Sequence, residues 1–117
     1  SSILAVEAVD LQLARLLPVV ARLGGARVGT ADHGNPDEML ELDKKTGAPL
    51  LDAAGLPKAK TSHSLNAVPF HVYAPGVPGL TLRIDVPVPG LANVAATTLA
   101  LLGFEAPEDY APSLLAL

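Results

Sequence analysis

The sequence predicts an α/β fold, with two main helices packed on two or three short strands. Three observations predict it. Residues 3–23 repeat apolar side chains at spacings of three and four and stop at Gly24-Gly25. A β-prone run over 26–31 follows at once and delivers Asp32-His33-Gly34-Asn35. Nearer the other end, Leu91 to Leu102 carries a second apolar stripe closed by Gly103.

In the first helix the stripe is Val6, Val9, Leu13, Leu16, Leu17, Val20 and Leu23, while Glu7, Asp10, Arg15 and Arg22 fall largely off it. Asp10 reads as an exposed helix charge. Pro18 removes an amide donor and crowds the Ala14 carbonyl, which predicts a kink or a helix in two segments. The glycine pair then suits a left-handed cap. Helix, turn and strand together form half of a helix-crossover unit. Residues 34–66 are polar and turn-rich, a long loop of a length that is often functional. Within it, Pro36 sits where it can open one or two helical turns.

A second strand is expected over 68–73, with Pro69 confined to its start, a bulge or an edge. His71 within it reads as a packed or hydrogen-bonded side chain. Residues 74–79 form a Pro/Gly turn. Leu80 to Val86 alternates well enough for a third short strand with Arg83 and Asp85 on its wet face, and Pro87-Val88-Pro89-Gly90 ends it.

Half of the 117 residues are hydrophobic and only 3% are aromatic. The mean hydropathy of +0.39 is apolar for so short a chain. A small domain buries a limited fraction of its surface, so part of this apolar surface is expected against other protein. The formal charge is −4, and no basic face is interleaved with aromatics, so no nucleic-acid partner is expected. Four of the eight basic residues lie between Lys44 and Lys60 and read as a solvated loop. There is no cysteine, so any metal site must use oxygen and imidazole donors. No apolar run reaches transmembrane length and no signal-like start is present, so a cytoplasmic location without membrane contact is expected.

Asp32 and His33 are the chemical focus. Asp32 offers a hard anionic oxygen and His33 a ring nitrogen, and divalent zinc or manganese accepts both donor types. In open α/β sheets, ligands collect at the carboxyl ends of strands, where this pair falls. Adjacent residues on a strand point to opposite faces, so the two can share a site only where the strand is already turning. The same residues also suit an Asx-type turn at Asp32 with a surface His33. His63, within Lys60-Thr61-Ser62-His63-Ser64, is a further candidate ligand.

Thr30-Ala31-Asp32-His33-Gly34-Asn35, then Ser62-His63-Ser64, then Asn66-Ala67-Val68-Pro69-Phe70 resemble the C-terminal part of the cofactor-independent phosphoglycerate mutases. These are two-metal enzymes of the alkaline phosphatase superfamily. Glu38-Met39, Lys45-Thr46-Gly47, residues 5–10 and residues 93–97 are also similar, in order, so the resemblance covers nearly the whole chain.

The resemblance implies a fragment of a three-layer, alkaline-phosphatase-like fold, with residues 1–117 as one C-terminal segment of its metal-binding domain. It implies interconversion of 3-phosphoglycerate and 2-phosphoglycerate through a phosphoserine beside two divalent ions, expected to be manganese. It assigns Asp32 and His33 to one metal and His63 to the other. The serine nucleophile, an aspartate and a histidine completing the second site, and the substrate-gripping arginines and lysine lie upstream in the family and have no match here. Ser62 and Ser64 do not correspond to the nucleophile. The expected partners are therefore phosphoglycerate and the remainder of the same polypeptide, and the segment alone is expected to be inactive. Two other readings compete. One is a phosphopentomutase or metal-dependent phosphohydrolase of the same superfamily, which residues 66–70 suit less well. The other is a small non-catalytic protein that binds a partner through its apolar surface.

Overall fold

The computed structural model describes residues 2–34, 40–58 and 66–117. It has the α/β arrangement expected, with two helices and two small antiparallel sheets. Two compact units are distinguished: residues 1–11 with 30–70, and residues 12–29 with 71–117. Among the described residues, no helix is long and apolar enough to cross a membrane.

Helix α1 spans Ser2–Arg22 without interruption. Pro18 therefore does not divide it. Both Pro18 and Ala14 are exposed, so water can reach the carbonyl that the missing amide leaves unpaired. The helix ends as the glycine pair predicts. Gly24 takes a φ of +67°, its amide donates to the Ala21 carbonyl, and the Gly25 amide donates to the Val20 carbonyl. This paired closure satisfies two carbonyls that would otherwise lack partners. Part of the apolar stripe is left in solvent, with Val6, Val9 and Leu23 more than half exposed, and so are Ile3, Leu4 and Leu11 off the stripe.

In the second unit, strand β1 (Arg27–Gly29) pairs antiparallel with β2 (His71–Tyr73), matching Arg27 to Tyr73, Val28 to Val72 and Gly29 to His71. Both strands are shorter than the sequence suggests. The second begins two residues after Pro69, which cannot donate to a ladder. His71 is exposed rather than packed, because nothing in its own unit covers that end of β2. Strand β3 (Thr81–Leu82) pairs antiparallel with β4 (Leu115–Ala116), a tail strand that two residues of local pattern do not announce. The strand stops at Leu82, short of the Leu80–Val86 run, and Ile84 is fully exposed, so the expected alternation does not reach Arg83 and Asp85. These two lie beyond the strand in a bidentate pair with contacts of 2.9 and 2.7 Å. The Arg83 backbone amide continues the ladder to the Leu114 carbonyl.

The second helix opens with a 3-10 turn, Leu91–Asn93, and continues as α2, Val94–Leu101. Its end repeats the first helix's closure. Gly103 has a φ of +84°, with its amide donating to Ala100 and that of Phe104 to Leu99. The small core of this unit is Val86, Ala96, Leu114 and Leu115. Two buried polar side chains tie the tail to the helix. Asn93 accepts from the Gly90 amide at 2.8 Å and donates to the Pro112 carbonyl at 2.8 Å. The Thr97 hydroxyl donates to the Asn93 carbonyl and accepts from the Leu114 amide.

In the first unit, residues 40–58 of the predicted 34–66 loop carry structure of their own. Bridges join Leu42 to Pro49 and Leu51 to Pro57. Two aspartates start the turns between them. The Asp43 carboxylate accepts from the Lys45 and Thr46 amides, and that of Asp52 from the Ala54 and Leu56 amides. Those backbone donors hold the Asp43 carboxyl below its ordinary pKa. Three backbone bonds close a ring: Glu41 donates to Lys58, Lys58 to Leu50, and Leu50 to Glu41. A Lys58–Glu41 ion pair of 3.0 Å spans the same junction. Of the helical turns anticipated over 36–41, residues 36–39 lie outside the described residues, and Leu40 and Glu41 are not helical.

Candidate metal centre

Strand β1 ends at Gly29, and Asp32 and His33 lie in the bend beyond it. That bend removes the objection raised by strand alternation, because the two side chains no longer point to opposite faces. His33 Nε2 stands 3.4 Å from Asp32 Oδ1. The Asp32 carboxylate is 88% exposed and the His33 ring 34% exposed. Among the described residues no backbone amide donates to the Asp32 carboxylate, so the bend is not the Asx-type turn that the sequence also allowed.

The His33 ring has a second contact. Its Nδ1 lies 3.1 Å from the carbonyl oxygen of Gly34, itself a buried residue. A carbonyl can only accept, so Nδ1 carries the proton in this contact. In the neutral ring Nε2 then presents its lone pair on the side of the carboxylate. A histidine ligand is commonly oriented in this way by a carbonyl behind it. The sequence pattern identified the two side chains but not the Gly34 carbonyl. Only its place immediately after the histidine could have hinted at that role.

The donor set fits a divalent cation as far as it goes. Bond lengths of about 2.0–2.2 Å allow two donors of one ion to stand no more than about 4.4 Å apart, and 3.4 Å lies inside that limit. One anionic oxygen and one imidazole nitrogen suit zinc or manganese. Among the described residues, no group of three or more metal-ligating side chains is gathered. His63 lies outside the described residues, so its position relative to the pair is not part of the geometry. Asp10 is exposed on α1, as expected of a plain helix charge.

Comparison with known proteins adds a family to this geometry. The family model of the Metalloenzyme superfamily matches residues 1–106. This chain belongs to the Metalloenzyme superfamily. Within that superfamily it is similar to 2,3-bisphosphoglycerate-independent phosphoglycerate mutases. The protein of that name from Trypanosoma brucei brucei is 47% identical over 98% of this chain. The one from Mesembryanthemum crystallinum is 44% identical over the same share. A crystal structure of Leishmania mexicana phosphoglycerate mutase, at low cobalt concentration, superposes with a TM-score of 0.87 at 49% identity and also covers 98% of this chain. In all three cases this superfamily member spans 21% of the other protein. The chain thus spans about a fifth of the length of the relatives it matches.

Proposed function

We propose that this chain is the C-terminal segment of the metal-binding part of a cofactor-independent phosphoglycerate mutase, which interconverts 3-phosphoglycerate and 2-phosphoglycerate through a phosphoserine. The reading is carried by one observation: proteins of that name match 98% of the chain at 44–47% identity. The Asp32–His33 pair in its bend supports it independently, since the pair supplies the donor types such chemistry needs.

Asp32 would contribute a carboxylate oxygen and His33 Nε2 to one ion, with the Gly34 carbonyl retaining the Nδ1 proton. His63 would contribute a ring nitrogen to the other. Two divalent ions, taken to be manganese, would lower the pKa of the attacking group and neutralise charge on the transferring phosphoryl oxygens. The serine nucleophile and the remaining ligands belong to the rest of the polypeptide. That remainder would also cover Ile3, Leu4, Val6, Val9 and Leu11, which stand 56–66% exposed here. The same reading places the enzyme in the cytoplasm.

The intact mass of the polypeptide made from the native gene is the deciding measurement. A mass several times the 12.0 kDa of this chain is expected, together with manganese-dependent mutase activity. The purified 117-residue chain should not turn over 3-phosphoglycerate. A native product near 12.0 kDa would remove the enzyme reading altogether.

A further inference from the structure

The β1–β2 register places four residues on one face of that sheet. Arg27 is paired with Tyr73, and Gly29 with His71. Paired residues share a face, and residues two apart on a strand share it too. Arg27, Gly29, His71 and Tyr73 therefore stand together, with the opposed Arg27 and Tyr73 Cβ atoms about 5 Å apart. Gly29 has a particular part in this. A Cβ built on it would collide with Cζ and both terminal nitrogens of Arg27, so the guanidinium lies flat across the glycine. The arginine occupies the space that a side chain at position 29 would fill.

The charge held in this way is half-buried, and among the described residues it has no acidic partner and no hydrogen bond. The other guanidinium of this unit outside α1, that of Arg83, is paired with Asp85. Directly across from Gly29 stands the exposed imidazole of His71, and across from Arg27 the half-buried phenol of Tyr73. Guanidinium, imidazole and phenol can all donate hydrogen bonds, and the register sets all three on the face that carries one buried glycine.

We propose that this face binds an oxyanion of the phosphate or phosphate-ester class, with Arg27 as its charged anchor and His71 and Tyr73 as flanking donors. A guanidinium edge matches phosphate oxygens in bidentate fashion. Three donors on one face suit a phosphate, with three or more acceptor oxygens, better than a carboxylate with two. The inference does not rest on the mutase reading, and its test does not use activity.

The test is chemical protection on the native-gene product. An arginine-selective dicarbonyl is applied, and modification of Arg27, Arg15 and Arg22 is followed site by site by peptide mass. Inorganic phosphate should slow modification of Arg27 at least five-fold, with half the effect at millimolar concentration, and leave Arg15 and Arg22 unchanged. Sodium chloride at matched ionic strength should not protect, and acetate should protect less. His71→Ala should weaken the phosphate protection several-fold. Equal slowing of all three arginines, equal protection by acetate, an Arg27 indifferent to phosphate, or an Arg27 unreactive from the outset would each overturn the proposal. So would undiminished protection in the His71→Ala variant.

Discussion

His33 Nε2 faces Asp32 Oδ1 across 3.4 Å, while Nδ1 of the same ring is tied back to the Gly34 carbonyl. A hydrogen bond or a shared divalent ion can each join an imidazole nitrogen to a carboxylate oxygen at such a distance. The two cases predict different variants. If a metal is held, His33→Ala and Asp32→Asn should each weaken manganese binding to the native-gene product by at least about 10–100-fold, the range seen even for outer-sphere changes. Isothermal titration with manganese would read this directly. Unchanged manganese affinity in both variants would show that the pair is only an ion pair.

Thr97 links α2 to the tail through one buried hydroxyl, at 2.7 Å to Asn93 and 2.9 Å from the Leu114 amide. Thr97→Val keeps the shape and removes both bonds, leaving a buried amide unsatisfied. That should cost about 1–3 kcal/mol. Thr97→Ser keeps the hydroxyl and should cost less. The check is the denaturation midpoint at constant slope, since a changed slope would mean a different unfolded reference. A valine variant as stable as the wild type would show that the hydroxyl link contributes nothing.

These two sites were not equally legible in the sequence. Asp32 and His33 are neighbours, so a bend was all that had to be inferred, and Gly34 and Asn35 announced one. Both helix ends were readable for the same reason: Gly24 and Gly103 each fix a local closure with left-handed backbone. The Thr97 link joins residues 17 apart, and no local pattern encodes it. Strand β4 depends on that link and on pairing with Thr81 and Leu82, so it was missed. His71 was misjudged because packing is a property of what covers a strand. The meander at 40–58 was half-visible: Asp43 before Gly47 and Asp52 before Gly55 are turn signals, but the ring of bonds among Glu41, Leu50 and Lys58 is not local.

Pro18 supplies a test of how a helix tolerates a missing donor. It lies inside α1 with both its ring and Ala14 on the exposed side. Proline in a helix interior costs about 3 kcal/mol relative to alanine in model helices. Part of that is returned by restricting the unfolded chain. Pro18→Ala should therefore stabilise the protein by about 1–2 kcal/mol, seen as a higher urea midpoint. A loss of stability would mean that the Pro18 ring makes contacts that alanine cannot replace.

The Arg83–Asp85 pair predicts a dependence on acid whose sign can be worked out. The hydrogen bonds from the Arg83 guanidinium hold the Asp85 carboxyl below its ordinary pKa, and the same contact raises that of Arg83. A carboxyl depressed in the folded state binds its proton more readily when unfolded. Its contribution is present above the ordinary aspartate range and is lost as pH falls through the lower, folded value. Asp43, depressed by the Lys45 and Thr46 amides, acts in the same direction. Both groups are exposed, so the effect at neutral pH should be small and should shrink with salt. The informative measurement is stability against pH for the wild type and Asp85→Asn. The wild type should lead at neutral pH, and the two curves should converge below about pH 4, where the unfolded aspartate titrates. A constant offset at every pH would show that Asp85 acts through packing or its backbone, not through the charge it shares with Arg83.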